Sequence, residues 1–144
     1  MKNRFENTLQ GKVCVVTGAG GAIGGMFAKA LAEVGAKVAV LDLNLQSAQT
    51  VADEIHAAGG TAFAYEAIVL ERESLDAAHE KILRDLGACD VLVNGAGGNN
   101  PRATTDNEFH FEADMIQNCK TFFDLEKSGV EFVFALNWLG TLLP

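Results

Sequence analysis

The sequence predicts an α/β fold in which helices cover both faces of a parallel sheet, and two observations lead to this prediction. Short runs rich in β-branched residues alternate with longer segments whose apolar residues recur at helical spacing. Glycine-rich turns follow two of the short runs, at 18–21 and 95–98. This alternation is typical of strand–helix–strand units with parallel strands. We therefore expect three layers: helices, sheet and helices.

Four strands and three connecting helices are predicted. The strands are KVCVVT (12–17), KVAVLD (37–42), TAFAYE (61–66) and DVLVN (90–94). Each connecting helix ends at glycine, and Asn44 is a suitable cap for the second. The expected inward faces are Ile23, Phe27, Ala30, Leu31 and Val34 in the first helix, Leu45, Ala48, Ala52 and Ile55 in the second, and Leu75, Ala78, Ile82 and Leu86 in the third.

A further helix is predicted at the end of the sequence. Ser128 and Glu131 have the spacing of a capping box and indicate where it begins. Apolar residues then cover most of its circumference, so we expect burial on more than one side. One sheet face cannot supply that cover. We expect the chain to be the N-terminal part of a longer fold, truncated before the later strands, with the cover supplied by further sequence or a second subunit.

Composition restricts the classes of function. The chain has 144 residues, 49% hydrophobic and 21% charged, which suits one domain spanning 1–144. The net charge is −8, and the scattered cations provide no footprint for nucleic acid. No apolar run approaches the ~18 residues of a membrane span, and the first residues lack the apolar core of a signal peptide. We expect a cytoplasmic protein.

The sequence predicts neither a disulfide framework nor a metal site. Three cysteines are widely spaced without a Cys-x-x-Cys pair, and three histidines lack ligand spacing. These residues are Cys14, Cys89, Cys119, His56, His79 and His110.

The strongest functional signal is VVTGAGGAIGG, at 15–25, where the first strand turns into the first helix. Glycine permits positive φ and lets a phosphate approach the main chain without a Cβ between them. The helix N-terminus adds free N–H groups and partial positive charge. The motif therefore predicts a site for the pyrophosphate of a dinucleotide.

Asp42 supplies the second part of the predicted site. It ends the second strand, 18 residues after Gly24, where a carboxylate accepts hydrogen bonds from ribose hydroxyls. The same carboxylate repels a 2′-phosphate, and no Arg or Lys lies between Thr17 and Met26 or directly after Asp42. NAD is therefore favoured over NADP.

Three motifs together resemble the short-chain dehydrogenase/reductase family. The spacing of Thr17, Gly18, Ala22 and Gly24 is similar to its TGxxxGxG motif, and Asn94-Gly-Ala-Gly resembles its Asn-Asn-Ala-Gly signature. Asn137 matches the asparagine of a family helix. The resemblance runs in order through nearly the whole chain. It implies a Rossmann-like fold with strand order 3-2-1-4.

The resemblance also implies roles for individual residues. The pyrophosphate and nicotinamide end would be wrapped by Gly18, Gly20, Ile23 and Gly24. Asp42 would hold the ribose, Val69 would lie beside the adenine, and Asn94, Ala96 and Gly97 would line the adenosine side. Ile68 stands where the family commonly has an aspartate for the adenine amino group, at a cost on the order of 1 kcal/mol. Gly95 and Ala22 also depart from the family pattern, and both are small.

The stretch NGAGGNNPRATT and the last 23 residues, FFDLEKSGVEFVFALNWLGTLLP, more narrowly resemble members described as D-mannonate or fructuronate oxidoreductases. This resemblance implies a sugar-acid substrate. Arg102 would then meet its carboxylate, since guanidinium binds carboxylate bidentately. The alternative is a solvated loop arginine.

The family's proton-transfer residues are a serine and a Tyr-x-x-x-Lys pair, and the sequence has no such pair. Its single tyrosine is Tyr65, with Val69 four residues later. Asn137, which holds a water in the family's proton relay, is the member of the catalytic set that is present. We expect this chain to be inactive alone and to form a homo-oligomer through the fourth strand or the last helix. The alternatives are a non-catalytic nucleotide-binding or interaction module and, more distantly, a methyltransferase-type domain, which TGxxxGxG disfavours.

Overall fold

A computed structural model of the chain describes residues 7–109, 111–112 and 119–144. His110, considered above as a metal ligand, lies outside the described residues. Four parallel strands form one sheet: β1 (Val13–Thr17), β2 (Lys37–Asp42), β3 (Thr61–Glu66) and β4 (Val91–Asn94). Their order is β3-β2-β1-β4, which confirms the predicted Rossmann-like topology. β1 and β4 each begin one residue later than predicted.

Helices α1 (Ala22–Glu33), α2 (Leu45–Ala57) and α3 (Arg72–Asp85) connect the strands. The final helical segment comprises α4 (Lys127–Phe134), a π-helical turn (Ala135–Leu139) and the short α5 (Gly140–Leu142).

Both faces of the sheet are covered, which explains why β1 and β2 are apolar at nearly every position. One cluster of buried residues joins the sheet to α1 and α2 and includes Cys14, Val38 and Ile55. A second joins the opposite face to α3 and includes Val15, Leu41 and Ile82. The three predicted layers are therefore present.

The predicted inward face of α1 is correct at Leu31, which is partly buried against the first core cluster, and wrong at its large residues near the helix start. Ile23 is 68% exposed and Phe27 is 45% exposed, whereas Gly24, Gly25 and Ala28 are buried. The remaining members of the predicted face are exposed or only partly buried, namely Ala30, Leu31 and Val34. The helix packs so closely that a methyl group added at Gly25 would lie 3.2 Å from both Val51 and the Ala19 carbonyl. Only small residues fit at this contact, so the large apolar residues turn outward.

The second and third helices largely follow the prediction. Asn44 caps α2, its side chain accepting a hydrogen bond from the Ser47 amide at 3.2 Å. Leu45 is exposed, however, and Val51 takes its place in the buried face. All four residues predicted to face inward from α3 are buried.

The predicted start of the last helix is wrong. α4 begins at Lys127 after Glu126, and no side chain caps it, so Ser128 does not form the expected box. Glu126, which directly precedes the helix, is fixed by its backbone, because its amide donates to the Arg102 carbonyl at 2.9 Å. A capping box forms earlier instead, between Thr121 and Asp124.

The expected burial of the last helix on more than one side is not found within this chain. Gly129 and Gly140 are buried, but Phe134 and Trp138 are each 70% exposed. Within the described ranges, none of the helices combines the length and apolar character that crossing a bilayer requires.

Acid is expected to weaken the junction between β1 and β4. Asp90 accepts hydrogen bonds from Lys12 Nζ (2.7 Å) and the Val13 amide (2.9 Å), and these partners, Lys12 first, hold the pKa of Asp90 below its ordinary value. A carboxyl group whose pKa is lowered on folding stabilises the fold above its unfolded-state pKa of about 3.9. That stabilisation is lost as the pH falls through the lower folded-state value. Thermal midpoints at pH 7 and pH 3 should differ less for Asp90→Asn than for the wild type, and an equal difference would contradict this assignment.

Candidate functional site

The predicted site residues gather at the carboxyl edge of the sheet. β1, β2 and β4 end there in register, Thr17 pairing with Leu41 on one side and with Asn94 on the other. β1 is also the strand from which the chain first proceeds to β2 and later returns to β4. Open α/β sheets bind ligands at such a switch point.

The glycine turn after β1 is built on close backbone contacts. Gly18 has φ +65°, the left-handed region that favours glycine. A methyl group added at Gly24 would lie 2.2 Å from the Gly18 carbonyl oxygen. Gly21 precedes α1 without a side-chain cap, which leaves amide groups at this helix start available to an anion.

Asp42 lies directly against this turn. Its Oδ2 accepts from the Gly20 amide and its Oδ1 from the Asn44 amide, both at 2.9 Å. A methyl group at Gly20 would lie 2.9 Å from the Asp42 carboxyl carbon, so glycine is what permits this approach. The two parts of the site predicted from separate stretches of sequence are adjacent in the structure.

Thr17 is a site residue whose contacts were not predicted from the sequence. Its side chain is fully buried, and its hydroxyl oxygen accepts from the amides of Gly95 (3.2 Å) and Ala96 (3.1 Å). This hydroxyl therefore ties the turn after β1 to the turn after β4. A hydroxyl residue at the end of an otherwise apolar buried strand was the available signal.

Thr17→Val is expected to destabilise the protein by about 2 kcal/mol. Valine has a similar shape but removes the acceptor shared by the partly buried amides of Gly95 and Ala96, and each hydrogen bond contributes about 0.5–1.5 kcal/mol. Thr17→Ser keeps the hydroxyl and serves as the matched control. Urea unfolding midpoints test this, and a valine variant as stable as the serine variant would contradict it.

Two asparagines join the last helical segment to the end of β4 and to the turn that follows it. Asn94 Nδ2 donates to the Thr141 carbonyl at 3.1 Å. Asn137 accepts from the Gly98 amide at 3.2 Å and donates to the Gly98 carbonyl at 2.8 Å. Its Nδ2 also reaches the Val133 carbonyl at 2.8 Å, within the helical segment. Asn137 thus lies in the π-helical turn with its amide paired, and π-helical turns are frequent at functional sites.

Gly97 and Val69 both pack against this segment. A methyl group at Gly97 would lie 2.7 Å from Asn137 Oδ1, and one at Gly140 would lie 3.0 Å from Val69. Val69 is buried.

Ile23 and Arg102 have different surroundings. The Ile23 side chain points outward at the start of α1. Arg102 lies in a 3₁₀ turn (Pro101–Ala103), and its Nε is 3.8 Å from Glu126 Oε2. Its partner in the structure is therefore a carboxylate of the same chain.

Tyr65 is unsuited to acid–base chemistry at neutral pH. It is buried, and its hydroxyl donates to Asp85 Oδ2 at 3.2 Å. Burial, followed by the nearby Asp85 charge, raises the pKa of Tyr65 above its ordinary value. A tyrosine acting as general base near pH 7 needs a shift in the opposite direction.

No group of three or more potential ligands for a metal ion is present in the described part of the chain. All three cysteines are free.

Comparison with known proteins identifies the family. The sequence model of the family described as short chain dehydrogenase matches residues 12–142. The chain belongs to the short chain dehydrogenase family. The spacing of Gly18 and Gly24, the Asp42 contact and the strand order fit this membership.

Family members of high similarity include two named only as uncharacterized oxidoreductases. One, from Haemophilus influenzae, is 53% identical over 96% of this chain, which covers 48% of that protein. The other, UxuB of Bacillus subtilis, is 47% identical over 96% of this chain, which covers 49% of that protein. This chain spans about half the length of these relatives.

A similar family structure has been solved with its cofactor. It is the crystal structure of a candidate D-mannonate oxidoreductase from Haemophilus influenzae with bound NAD. The two sequences are 54% identical, and the structures superpose with a TM-score of 0.89. The match covers 94% of this chain and 48% of that one.

Proposed function

We propose that this chain is the NAD-binding part of a short-chain oxidoreductase that transfers hydride between nicotinamide and a carbonyl or hydroxyl carbon. The observation that carries the proposal is the contact of the Asp42 carboxylate with the Gly20 amide, 2.9 Å apart at the carboxyl edge of the sheet. It brings a ribose acceptor beside a backbone surface suited to a pyrophosphate. The NAD-bound relative supports this choice of cofactor.

The residues present fit a dinucleotide. Gly18, Gly20 and Gly24 form a turn in which added side chains would meet backbone, the Ser47 side chain or the Asp42 carboxyl group. We assign the pyrophosphate and nicotinamide end to these glycines and Ile23, and the ribose to Asp42. Val69 would lie beside the adenine, and Asn94, Ala96 and Gly97 would line the adenosine side. NAD, when bound, supplies the hydride acceptor.

NAD is proposed over NADP because of charge. Asp42 is followed by Leu43, Asn44 and Leu45, which cannot neutralise a 2′-phosphate. Nor does the stretch 15–25 contain a charged residue.

The proposed substrate is a sugar acid of the D-mannonate or fructuronate type. The Haemophilus structure supports this class by its name. In this chain, Arg102 supplies a guanidinium for the substrate carboxylate.

We propose that the 144-residue chain does not catalyse hydride transfer alone. Its one tyrosine is buried and has a raised pKa. Asn137 would contribute to the proton relay by holding a water, but no Tyr-x-x-x-Lys pair accompanies it.

Calorimetric titration with NAD and NADP tests the cofactor assignment. We expect saturable one-to-one binding of NAD and weaker binding of NADP. Absence of binding would reject the dinucleotide site, and tighter binding of NADP would reject the role given to Asp42.

NADH formation from D-mannonate is followed in parallel. NAD binding without turnover is the expected result, and turnover would show that the missing pair is not required.

Self-association is also proposed. β4 pairs only with β1 among the described strands, so its outer edge is open, and Leu92 is exposed on it. Open apolar edges promote pairing with another chain. Sedimentation of the 144-residue chain should show an oligomer, and a clean monomer would contradict this.

We also propose one domain over 1–144 and, because all three cysteines are free, a cytoplasmic location.

A further inference from the structure

We propose that Glu126 is an internal carboxylate that occupies Arg102 until the carboxylate of a sugar acid displaces it. The Arg102–Glu126 pair then selects acidic sugars over neutral ones. This inference rests on the substrate class proposed above and adds a residue that tunes the selection.

The backbone of Arg102 is held from several directions. Its amide donates to Asn100 Oδ1 at 2.9 Å, and its carbonyl accepts from the Glu126 amide at 2.9 Å. A methyl group added at Gly129 would lie 2.6 Å from Arg102 Cβ, so α4 packs directly on this residue. Lys120 Nζ donates to the neighbouring Pro101 carbonyl at 2.5 Å. A fixed backbone with a second cation nearby favours binding of an anion.

The guanidinium remains open to a ligand. Its Nε is 3.8 Å from Glu126 Oε2, which is an ion pair but too long for a hydrogen bond. The two side chains are 63% and 56% exposed, and such pairs contribute little to stability. No other carboxylate pairs with Arg102 in the described residues. A ligand carboxylate that accepts two hydrogen bonds from the guanidinium would bind Arg102 more strongly than Glu126, which accepts none.

Glu126 has an alternative environment after displacement. It is the residue preceding α4, and its side chain makes no capping hydrogen bond. A negative charge is favourable at a helix N-terminus. Moving away from Arg102 therefore leaves the Glu126 carboxylate near a favourable partial charge, and the exchange costs little.

The Arg102 turn is connected to Asn137. Gly98, four residues before Arg102, is hydrogen-bonded to Asn137 at both its amide and its carbonyl. Gly129, which packs against Arg102, belongs to the same helical segment as Asn137. The Arg102 turn is therefore held at two points to the segment that carries Asn137.

Nuclear magnetic resonance of the arginine Nε–Hε groups tests the exchange in the chain, both without NAD and with NAD added. Only four arginines are present in the sequence, and the Arg102 signal is identified by its loss in Arg102→Gln. Titration with D-mannonate should shift this signal saturably. The neutral analogue D-mannitol should not shift it at the same concentrations.

Glu126→Gln should bind D-mannonate about threefold to fivefold more tightly than the wild type, because the competing charge is gone. The matched control is Glu131→Gln, which removes a carboxylate that pairs with Lys127 on the same helix. It should leave the affinity unchanged. Circular dichroism checks that all variants are folded.

Equal affinity in Glu126→Gln and Glu131→Gln would overturn the proposal, as would D-mannitol shifting the signal equally. NAD affinity is measured separately. An Arg102 response without NAD binding would reject the proposed function alone, and NAD binding without an Arg102 response would reject only this inference.

Discussion

Alanine in place of Gly24 is expected to destabilise the protein by about 3 kcal/mol, at the upper end of ordinary overpacking, and to remove NAD binding. The added Cβ would lie 2.2 Å from the Gly18 carbonyl oxygen and 2.8 Å from its carbonyl carbon. Both atoms are backbone, so relief requires movement of the whole turn. Alanine normally stabilises a helix interior relative to glycine by about 0.5–1 kcal/mol, so the expected sign opposes helix propensity. Urea unfolding and calorimetric titration with NAD measure the two effects.

Gly21→Ala is the matched control for the stability effect. Gly21 belongs to the same turn, has φ −81°, and an added Cβ would lie 3.4 Å from its nearest neighbour, an ordinary contact. We expect its stability to remain close to that of the wild type. Equal stability of the Gly24→Ala and Gly21→Ala variants would show that the turn yields easily, and would remove the argument for close packing.

Asp42→Ala is expected to weaken NAD binding by about 10- to 100-fold, the range of hydrogen bonds to a charged group. The proposed ribose acceptor is lost, and the Gly20 amide loses its partner. NADP should lose less affinity than NAD, since a charge that repels the 2′-phosphate is also removed. The ratio of the two dissociation constants, measured by calorimetry, is therefore the decisive quantity.

Glu66→Gln controls for a general loss of negative charge at this edge. Glu66 ends β3 and pairs in register with Asp42, but the Gly20 amide bonds to Asp42. NAD affinity should be unchanged. If Glu66→Gln weakens NAD as much as Asp42→Ala does, the effect is electrostatic and diffuse, and the ribose assignment fails.

The sheet could be predicted from the sequence because its signals are local. Strands covered on both faces appear as continuous apolar runs, and the glycines that end α1, α2 and α3 mark the turns between them. The inward face of α1 could not be predicted in the same way. Helical periodicity predicts that large apolar residues such as Ile23 and Phe27 face inward, whereas the buried residues of α1 are Gly24, Gly25 and Ala28.

Parts of the site could be predicted where the geometry requires a particular residue type at a particular position. Glycines at 18 and 24 and a carboxylate at the end of β2 indicated a shared edge, and the Asp42–Gly20 contact places them together. The buried Thr17 hydroxyl and the Arg102–Glu126 pair depend on contacts between distant segments. The spacing of residues along the sequence does not indicate such contacts, so they could be identified only from the three-dimensional structure.

The π-helical turn at Ala135–Leu139 has a consequence for the length of the last helical segment. Such a turn accommodates one residue more than an α-helix would in the same rise, and each residue of an α-helix rotates the chain by about 100°. The residues that follow the turn contact the rest of the chain, since Gly140 faces Val69 and the Thr141 carbonyl accepts from Asn94. In a related sequence, gaining or losing one residue in this turn would therefore change which residues face Val69 and Asn94, independently of their chemical identity.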